Sequence, residues 1–227
     1  MAARMISIVV PMLDEAEALP SLLAHLQPFR DRGCEVILAD GGSGDGSAEI
    51  AEKAGFPVLH APRGRARQMN AAAQAAQGDI LIFLHADTRL PAQADRLVAD
   101  ALRDPLRAWG RFDVAISGTR AMLPVIAFLM NLRSRRTGIA TGDQAIFVRR
   151  SAWQAIGGFP DQPLMEDIEA SRRLKRISPP ACVAERAITS GRRWERSGVW
   201  RTIILMWRLR LAYRLGVRPE TLAQRYR

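Results

Sequence analysis

Through residues 1–100, short apolar runs alternate with segments of helical periodicity, and that rhythm restricts the chain to an α/β fold with parallel strands. ISIVVPML reads as a strand, AEALPSLLAHLQPF as a helix, CEVILAD as a strand and GSAEIAEKAG as a helix closed by Gly55. FPVLHA follows as a strand, RARQMNAAAQAAQG as a helix of strong formers ending at Gly78, and DILIFLHAD as a strand. Beyond residue 105 the rhythm loosens. RFDVAISG and DQAIFVRR read as strands, MEDIEASRRLKRI as an amphipathic helix and VWRTIILMWRLRLAYRLG as a long terminal helix. With 227 residues, 48% of them hydrophobic, the chain is long enough for one sizeable core carrying an appendage.

Carboxylates stand where the strands should end: Asp40 and Asp45 in DGGSGD, Asp87 in FLHADT, and the Glu166–Asp167 pair in PLMEDIEAS. An open α/β sheet binds its ligand at that edge. The run Ile80–Leu84 delivers His85, Ala86 and Asp87 to a strand exit, and an acid there is a candidate ligand for a divalent cation carrying phosphate oxygens. DGGSGDGS also reads as a tight turn with Ser47 or Asp45 as helix N-cap. Asp40 on the last strand position has a further use, because its carboxylate can accept the N3–H of a uracil or thymine ring. Gly41, Gly42, Gly44 and Gly46 do not reproduce G-x-G-x-x-G, and the first strand leaves through Pro11 and Asp14, so hydride chemistry on a dinucleotide is disfavoured.

The net charge of +10 is unevenly spread. Residues 1–100 carry 9 basic and 13 acidic side chains, residues 101–227 carry 24 and 10. Of the 33 basic residues 31 are arginine, a bias that a GC-rich genome produces without functional demand. The basic second half suits phosphates or an anionic membrane surface. Five tryptophans, at 109, 153, 194, 200 and 207, are scattered among apolar neighbours, unlike a stacking platform, and no nucleic-acid partner is expected. Cys34 and Cys182 form no metal or redox motif, and the opening MAARMISIVVPMLDEAE, cut by Pro11 and followed by acids, reads as a first strand and not a secretory signal. A cytosol-facing protein is expected.

In its motifs the chain resembles family 2 glycosyltransferases of the GT-A fold. The likeness runs from Ile6 to about Arg193 through IVVPMLDEAEALPSLL, ILADGGSGDGS, RGRARQMNAAAQAAQGDILIFLHADTRLP, GGFPDQPLMEDIEASRRL and SGRRW, in that order. It implies a Rossmann-like, mostly parallel sheet flanked by helices over residues 1–195, with a nucleotide-sugar half (1–104), an acceptor half (105–195) and a basic helical appendage (196–227). Pro11, Leu13 and Glu15 would line the nucleoside pocket, with Asp40 on the base. Arg67 and Asn70 would lie on the helix facing the donor, and Arg63 or Arg65 would meet the diphosphate. Asp87 would bind Mg²⁺ or Mn²⁺, Glu166 would stand beside the acceptor, Asp167 would be the catalytic base, and Arg193 and Trp194 would sit over the leaving diphosphate. The donor implied is a nucleotide-diphosphate sugar, with UDP-sugars as the default. The acceptor is a small or lipid-like molecule, and the short bacterial members that this sequence most resembles are linked to arsenosugar synthesis or to glycosylation of carotenoid acids.

Two positions depart from the pattern. His85 occupies the first acidic position of D-x-D, which leaves it either a metal ligand or a strand-end histidine bonded to backbone. Ser190 stands where processive synthases carry the Gln of Q-x-x-R-W, which argues against polymerisation. A nucleotidyltransferase would share the sheet and the metal carboxylate but has no need of an E-D pair some eighty residues later. A phosphatase of the haloacid dehalogenase type needs an Asp where His85 stands.

Two apolar segments complete the reading. Ala121–Leu132 is interrupted only by Asn131 and followed by Arg133, Arg135 and Arg136, and its 12 residues fall short of the ~20 needed to span a bilayer. In 199–215 arginines project to opposite sides. Both segments therefore read either as core or as an interfacial platform that docks on a membrane without crossing it.

Overall fold

The computed structural model describes residues 5–226. Residues 1–4, the start of the segment read as a first strand, and Arg227, the end of the expected appendage, lie outside them. The first half alternates as its hydrophobic rhythm requires: β1 (Ile6–Met12), α1 (Leu19–Asp31), β2 (Glu35–Asp40), α2 (Ser47–Lys53), β3 (Val58–His60), α3 (Arg65–Ala75) and β4 (Ile80–Phe83). The second half adds β5 (Thr88–Arg89), α4 (Ala94–Ala101), β6 (Trp109–Ser117), α5 (Leu123–Thr137), β7 (Phe147–Arg149), α6 (Arg150–Ala155), α7 (Glu166–Leu174) and β8 (Ala181–Ser190). Three helices close the chain: α8 (Arg192–Ser197), α9 (Val199–Arg214) and α10 (Pro219–Tyr226).

One sheet runs through the molecule in the order β3-β2-β1-β4-β7-β6-β8-β5. β3, β2, β1 and β4 are parallel, as right-handed βαβ crossovers demand, and β6 and β8 are parallel as well. β7 runs antiparallel between β4 and β6, and β5 antiparallel on β8. The expected mostly parallel sheet is present. Every residue of β1 is buried, which is why the run shows no polar alternation beyond Ser7.

Helices cover both faces. Leu19, Leu22, Leu26 and Phe29 of α1 pack on Ile8, Val10 and Leu38 from one side, while Ala66, Met69, Ala72 and Ala73 of α3 pack on Val9, Ala39 and Leu81 from the other. A third cluster joins Leu164, Met165 and Ile168 at the start of α7 to Leu209 of α9 and Leu222 of α10. The C-terminal helices are thereby fastened to the second half of the chain.

Several boundaries differ from the sequence reading. DQAIFVRR splits into a 3₁₀ turn over Gly142–Gln144, closed by a reciprocal Thr141–Gln144 capping box, and the short β7, with Ala145 at φ 44° breaking the strand between them. α3 ends at Ala75, three residues before Gly78. Gly78 is not a helix cap. It lies against β1, where a Cβ would stand 2.5 Å from Ser7 Oγ and 2.7 Å from Ser7 N. Its own N–H donates to Ser7 Oγ (2.8 Å). Gly78→Ala is therefore expected to destabilise the fold by about 1–3 kcal/mol through overpacking against backbone, read as a lowered urea midpoint at unchanged slope.

Candidate active site

The parallel register brings three strand ends to one edge: Met12 pairs with Asp40, and Val9 with Phe83. The loops that leave β1 and β2 are bonded to each other. Asp14 N donates to Ser43 Oγ (3.0 Å), Glu15 N to Ser47 Oγ (2.9 Å) and Ala16 N to Asp45 Oδ2 (2.9 Å). Gly44 N returns a bond to Asp14 Oδ1 (2.9 Å), with Asp14 held at φ 53°. Neither Ser47 nor Asp45 is the N-cap of α2, a position Gly46 takes at φ 87°. Beneath them Gln68 of α3, 3% exposed, donates from Nε2 to Met12 O (2.7 Å) and Ala39 O (2.8 Å). Sequence reasoning missed Gln68. Its one signal is a polar side chain among Ala66, Met69, Ala72 and Ala73 on the buried face of α3.

Above this floor lies a cleft of about 560 Å³ that gathers Pro11, Leu13, Glu15, Arg63, Arg65, His85 and Asp87. Burial raises the pKa of Glu15, against the opposing pull of Arg192. Asp40 lies below the cleft, 2% exposed. It accepts from Ser43 Oγ (2.5 Å), Ser43 N and Gly42 N (3.0 Å), with His60 Nδ1 at 3.6 Å. Burial would raise its pKa, but the Ser43 hydroxyl and the Ser43 and Gly42 N–H groups outweigh it and hold the carboxyl below its ordinary range. As placed, Asp40 serves the turn that carries the glycines.

Arg67 and Asn70 do not line the cleft. Arg67 Nε donates to both carboxylate oxygens of Asp161 (2.8 and 3.0 Å), and Asn70 exchanges bonds with the backbone of Phe159 (2.8 and 2.9 Å). They lie on a different face of α3 from the cleft-lining Arg65 and Gln68, and their work is to hold the 157–161 loop.

His85 joins the two halves. Its Nε2 lies 3.4 Å from Arg65 Nη1 and its Nδ1 3.7 Å from Asp143 Oδ1. A Cβ on Gly142 would fall 2.1 Å from the ring, so that glycine is what lets the imidazole in. Among the described residues no group of three His, Cys, Asp or Glu is placed to hold a metal. Asp87, at the mouth of the cleft, fits a hard cation that keeps most of its shell as water and phosphate oxygen. His85 fits that role poorly, since both its nitrogens face protein groups.

Arg65 Nε pairs with Glu166 Oε1 at 2.7 Å, and Glu166 is 3% exposed. Burial raises the pKa of Glu166 even with Arg65 opposing it. Burial likewise works against the charge on Arg65, but Glu166 and Asp167 hold it above its ordinary value. Met165 at φ 66° turns the chain into α7, so that Asp167 comes next to this pair. Asp167 accepts from Gly142 N (2.9 Å) at Oδ2 and from Ile168 N (2.7 Å) at Oδ1. Two neighbours had no part in the site as the sequence was read, and one of them, Arg133, expected to flank the apolar 121–132 segment, has its guanidinium buried here instead. Asp143 pairs with His85, and although burial would raise its pKa, His85 and Arg65 lower it. Arg133 presents buried Nε and Nη2 atoms without partners, and its charge faces Asp167 and Asp143.

A second concavity of about 1130 Å³ meets the cleft at Asp87 and is lined by α8, α9 and α10. Arg193 lies in it, its guanidinium 4.0 Å from the Tyr226 ring. Trp194 is half-buried and lines neither space. Arg192 Nη2 reaches to 3.8 Å from Glu15 Oε2, linking the two. Ser190 N donates to Asp87 O (3.2 Å) and so ties β8 to the loop that bears Asp87.

The profile described as Glycosyl transferase family 2 matches residues 7–156. Undecaprenyl-phosphate 4-deoxy-4-formamido-L-arabinose transferase of Pseudomonas fluorescens is 31% identical over 162 residues, 63% of this chain and 46% of that protein. Succinoglycan biosynthesis protein ExoA of Rhizobium meliloti is 31% identical over 193 residues, 74% of this chain and 57% of that protein. The chain thus spans about half the length of these curated relatives. The fold is that of the mannosyltransferase PcManGT of Pyrobaculum calidifontis, solved with GDP-Man and Mn²⁺ (TM-score 0.64, 18% identity, 100% of this chain and 70% of that one). Glucosyl-3-phosphoglycerate synthase of Mycobacterium tuberculosis, solved with Mn²⁺, UDP and glucosyl-3-phosphoglycerate, shares it as well (TM-score 0.62, 21% identity, 83% and 71%).

The Asp40 turn generates a pH-dependent prediction. A carboxyl whose folded pKa is depressed stabilises the fold above its unfolded pKa, and the contribution is lost as pH falls through the folded value. Asp40→Asn is expected to cost about 1–3 kcal/mol at neutral pH by weakening the bonds to the 42–43 amides. Urea titrations at a series of pH values should show the gap between parent and variant closing once the pH drops below the ordinary carboxylate range.

Proposed function

The chain belongs to glycosyl transferase family 2, and from that membership we propose that it is a non-processive, inverting glycosyltransferase. It moves a sugar from a nucleotide-diphosphate sugar, with UDP as the nucleotide, to a hydroxyl or carboxyl of a small or lipid-like acceptor. The observation that carries this reading is the Arg65–Glu166 pair at 2.7 Å, which ties the first turn of α7, the turn that bears Asp167, to an arginine lining the cleft at the strand ends. The Mn²⁺ and UDP held by the mycobacterial synthase support the choice of donor and a divalent ion here.

Each group then has a task. The loops bonded together at 13–16 and 43–47 offer a preformed wall for the nucleoside, so little ordering is left for binding. Arg63 and Arg65 face the diphosphate, where negative charge grows as the sugar bond breaks. A divalent cation bound through Asp87 and the phosphate oxygens would supply Lewis-acid stabilisation of that leaving group. Asp167 takes the acceptor proton. Gly142 and Ile168 each occupy one lone pair on its two oxygens, which fixes the carboxylate while leaving acceptor capacity on both. Attack from the side of Asp167, opposite the leaving diphosphate, inverts the anomeric carbon.

Two substitutions separate binding from chemistry in one assay. Asp167→Asn should keep donor affinity and lower kcat by a factor on the order of 10²–10⁴, whereas Asp87→Ala should remove the Mn²⁺ dependence of UDP binding itself. A thermal-shift panel of UDP-, GDP- and dTDP-sugars with and without Mn²⁺ identifies the donor. Unchanged turnover in Asp167→Asn would remove that residue from the mechanism.

The enzyme is further proposed to work at an anionic membrane surface. Among the described residues no helix is long and apolar enough to cross a bilayer. Trp200 (67% exposed), Ile204, Trp207 (71% exposed) and Leu211, with Leu215 just past the helix end, recur at helical spacing on the outer side of α9. Thr202 and Leu209 on the opposite side are buried. Val125, Phe128 and Leu129 of α5 are exposed as well. Arginines border the α9 stripe on both flanks, at 201 and 208 and at 210 and 214, an arrangement suited to aromatic rings at the interface with guanidinium heads among phosphates. Liposome flotation should show binding that requires anionic lipid and weakens with salt; protein left at the bottom of every gradient, neutral or anionic, would argue for a soluble acceptor met in solution.

A further inference from the structure

Six guanidinium groups converge on the 1130 Å³ basin: Arg192, Arg193, Arg196, Arg201, Arg208 and Arg225. Among the described residues Asp87 is its one carboxylate. Arg192 is paired with Glu15 and Arg193 is stacked on Tyr226, whereas Arg196, Arg201, Arg208 and Arg225 make no ion pair among the described residues. Like charges gathered in a concavity repel one another unless an anion joins them, and low-dielectric walls intensify the field. Nothing in the fold needs this arrangement, because Arg196, Arg201, Arg208 and Arg225 are all exposed and carry no buried carbonyl or packing load.

We propose that this basin is the acceptor's anion site and that the acceptor carries a phosphate ester, seated by arginines of α8, α9 and α10 beside Asp87. The inference rests on the glycosyltransferase reading above and names the acceptor class for it. A phosphate suits the basin better than a carboxylate does. It brings up to two charges and three free oxygens, enough for several guanidinium forks, whereas one arginine saturates a carboxylate. The donor diphosphate has its own cations, Arg63 and Arg65, in the adjoining cleft, and the two spaces share Asp87 alone. An anion in the basin would therefore lie next to the donor without competing for its place. Ile204 and Leu205 of α9 line the same space and give an apolar body somewhere to rest. Burial raises the pKa of Tyr226, so its hydroxyl stays a neutral donor and adds no negative charge.

The test uses the full chain saturated with UDP and Mg²⁺, so that the donor's phosphate site is filled, and titrates phenyl phosphate by calorimetry at low and high salt. Binding is expected to persist with UDP present and to weaken with salt. Arg201→Gln/Arg208→Gln should lose about tenfold or more in affinity for phenyl phosphate at unchanged UDP affinity, which also reports an intact fold. Arg176→Gln/Arg218→Gln changes the net charge equally but lies outside both the basin and α9, and should bind as the parent does. Displacement of phenyl phosphate by UDP, or equal affinity in the Arg201/Arg208 variant, would overturn the proposal. Competition arms separate the source of the phosphate: displacement by phosphatidic acid in otherwise neutral vesicles assigns a lipid acceptor, and displacement by glycerol phosphate alone assigns a soluble one. Displacement by neither overturns the site. Absence of UDP binding in the parent would instead count against the donor reading, a separate failure.

Discussion

The ion pair between Arg65 and Glu166 is the constraint on which the site depends. It joins α3, in the parallel first half, to α7 in the second half, at 2.7 Å and with Glu166 almost wholly removed from water. A buried pair of this kind adds little net stability, since desolvation offsets most of the attraction. Its value is geometric. Breaking it would leave a buried carboxylate without its cation, so the first turn of α7 is held against α3, and Asp167 has one place to stand. Burial acts against both partners, yet each tends to hold the other charged, and the neighbouring Asp167 strengthens the pull on Arg65.

The donor side is held by a different device. Gln68 ties the last carbonyls of β1 and β2 together from below, and the serines and aspartates of the 43–47 turn tie the loops together from above. Positive φ values outside glycine occur at Asp14, Ala145 and Met165, one at the exit of β1, one after the 3₁₀ turn and one before Glu166. Each is a conformation that costs free energy, and at Asp14 the hydrogen bonds exchanged with Ser43 and Gly44 offset the cost.

How much of this could be read from the sequence follows from the range of the interactions. β1, β2 and β4 were legible because a parallel strand buried on both faces leaves a continuous apolar run, and their ends located Asp40 and Asp87 without further information. The antiparallel half was harder. β7 has three residues and β5 two, too few for any periodicity, and β8 carries exposed Glu185 and Arg186 beside a register shift against β6. Side-chain tasks were least legible of all. Arg67 and Asn70 sit on the helix that the motifs indicate, but a rotation of one residue along α3 decides between the cleft and the 157–161 loop, and only the partners Asp161 and Phe159 reveal it. Gln68 looked like any polar helical residue until its two carbonyls were in view.

The arginines make the same point about placement over composition. With 31 in the chain, a basic half says little by itself. The fold divides them. Arg150 is saturated by three carbonyls at the end of α3, those of Ala73, Ala76 and Gly78, where it neutralises the negative end of the helix dipole. Arg111, fully buried in β6, is matched by Asp113, and Asp113 in turn by Arg135. Those guanidinium groups belong to the structure. On α8, α9 and α10 the pattern changes: six arginines face one concavity, and among the described residues no carboxylate answers them beyond Glu15 and Asp87 at its border. On α9 the same face that bears Arg201 and Arg208 adjoins the stripe of Trp200, Ile204 and Trp207. A helix with a buried seam, an exposed aromatic stripe and a charged flank between them has more surface than packing requires, and its charged flank opens on the concavity that meets the strand-end cleft at Asp87.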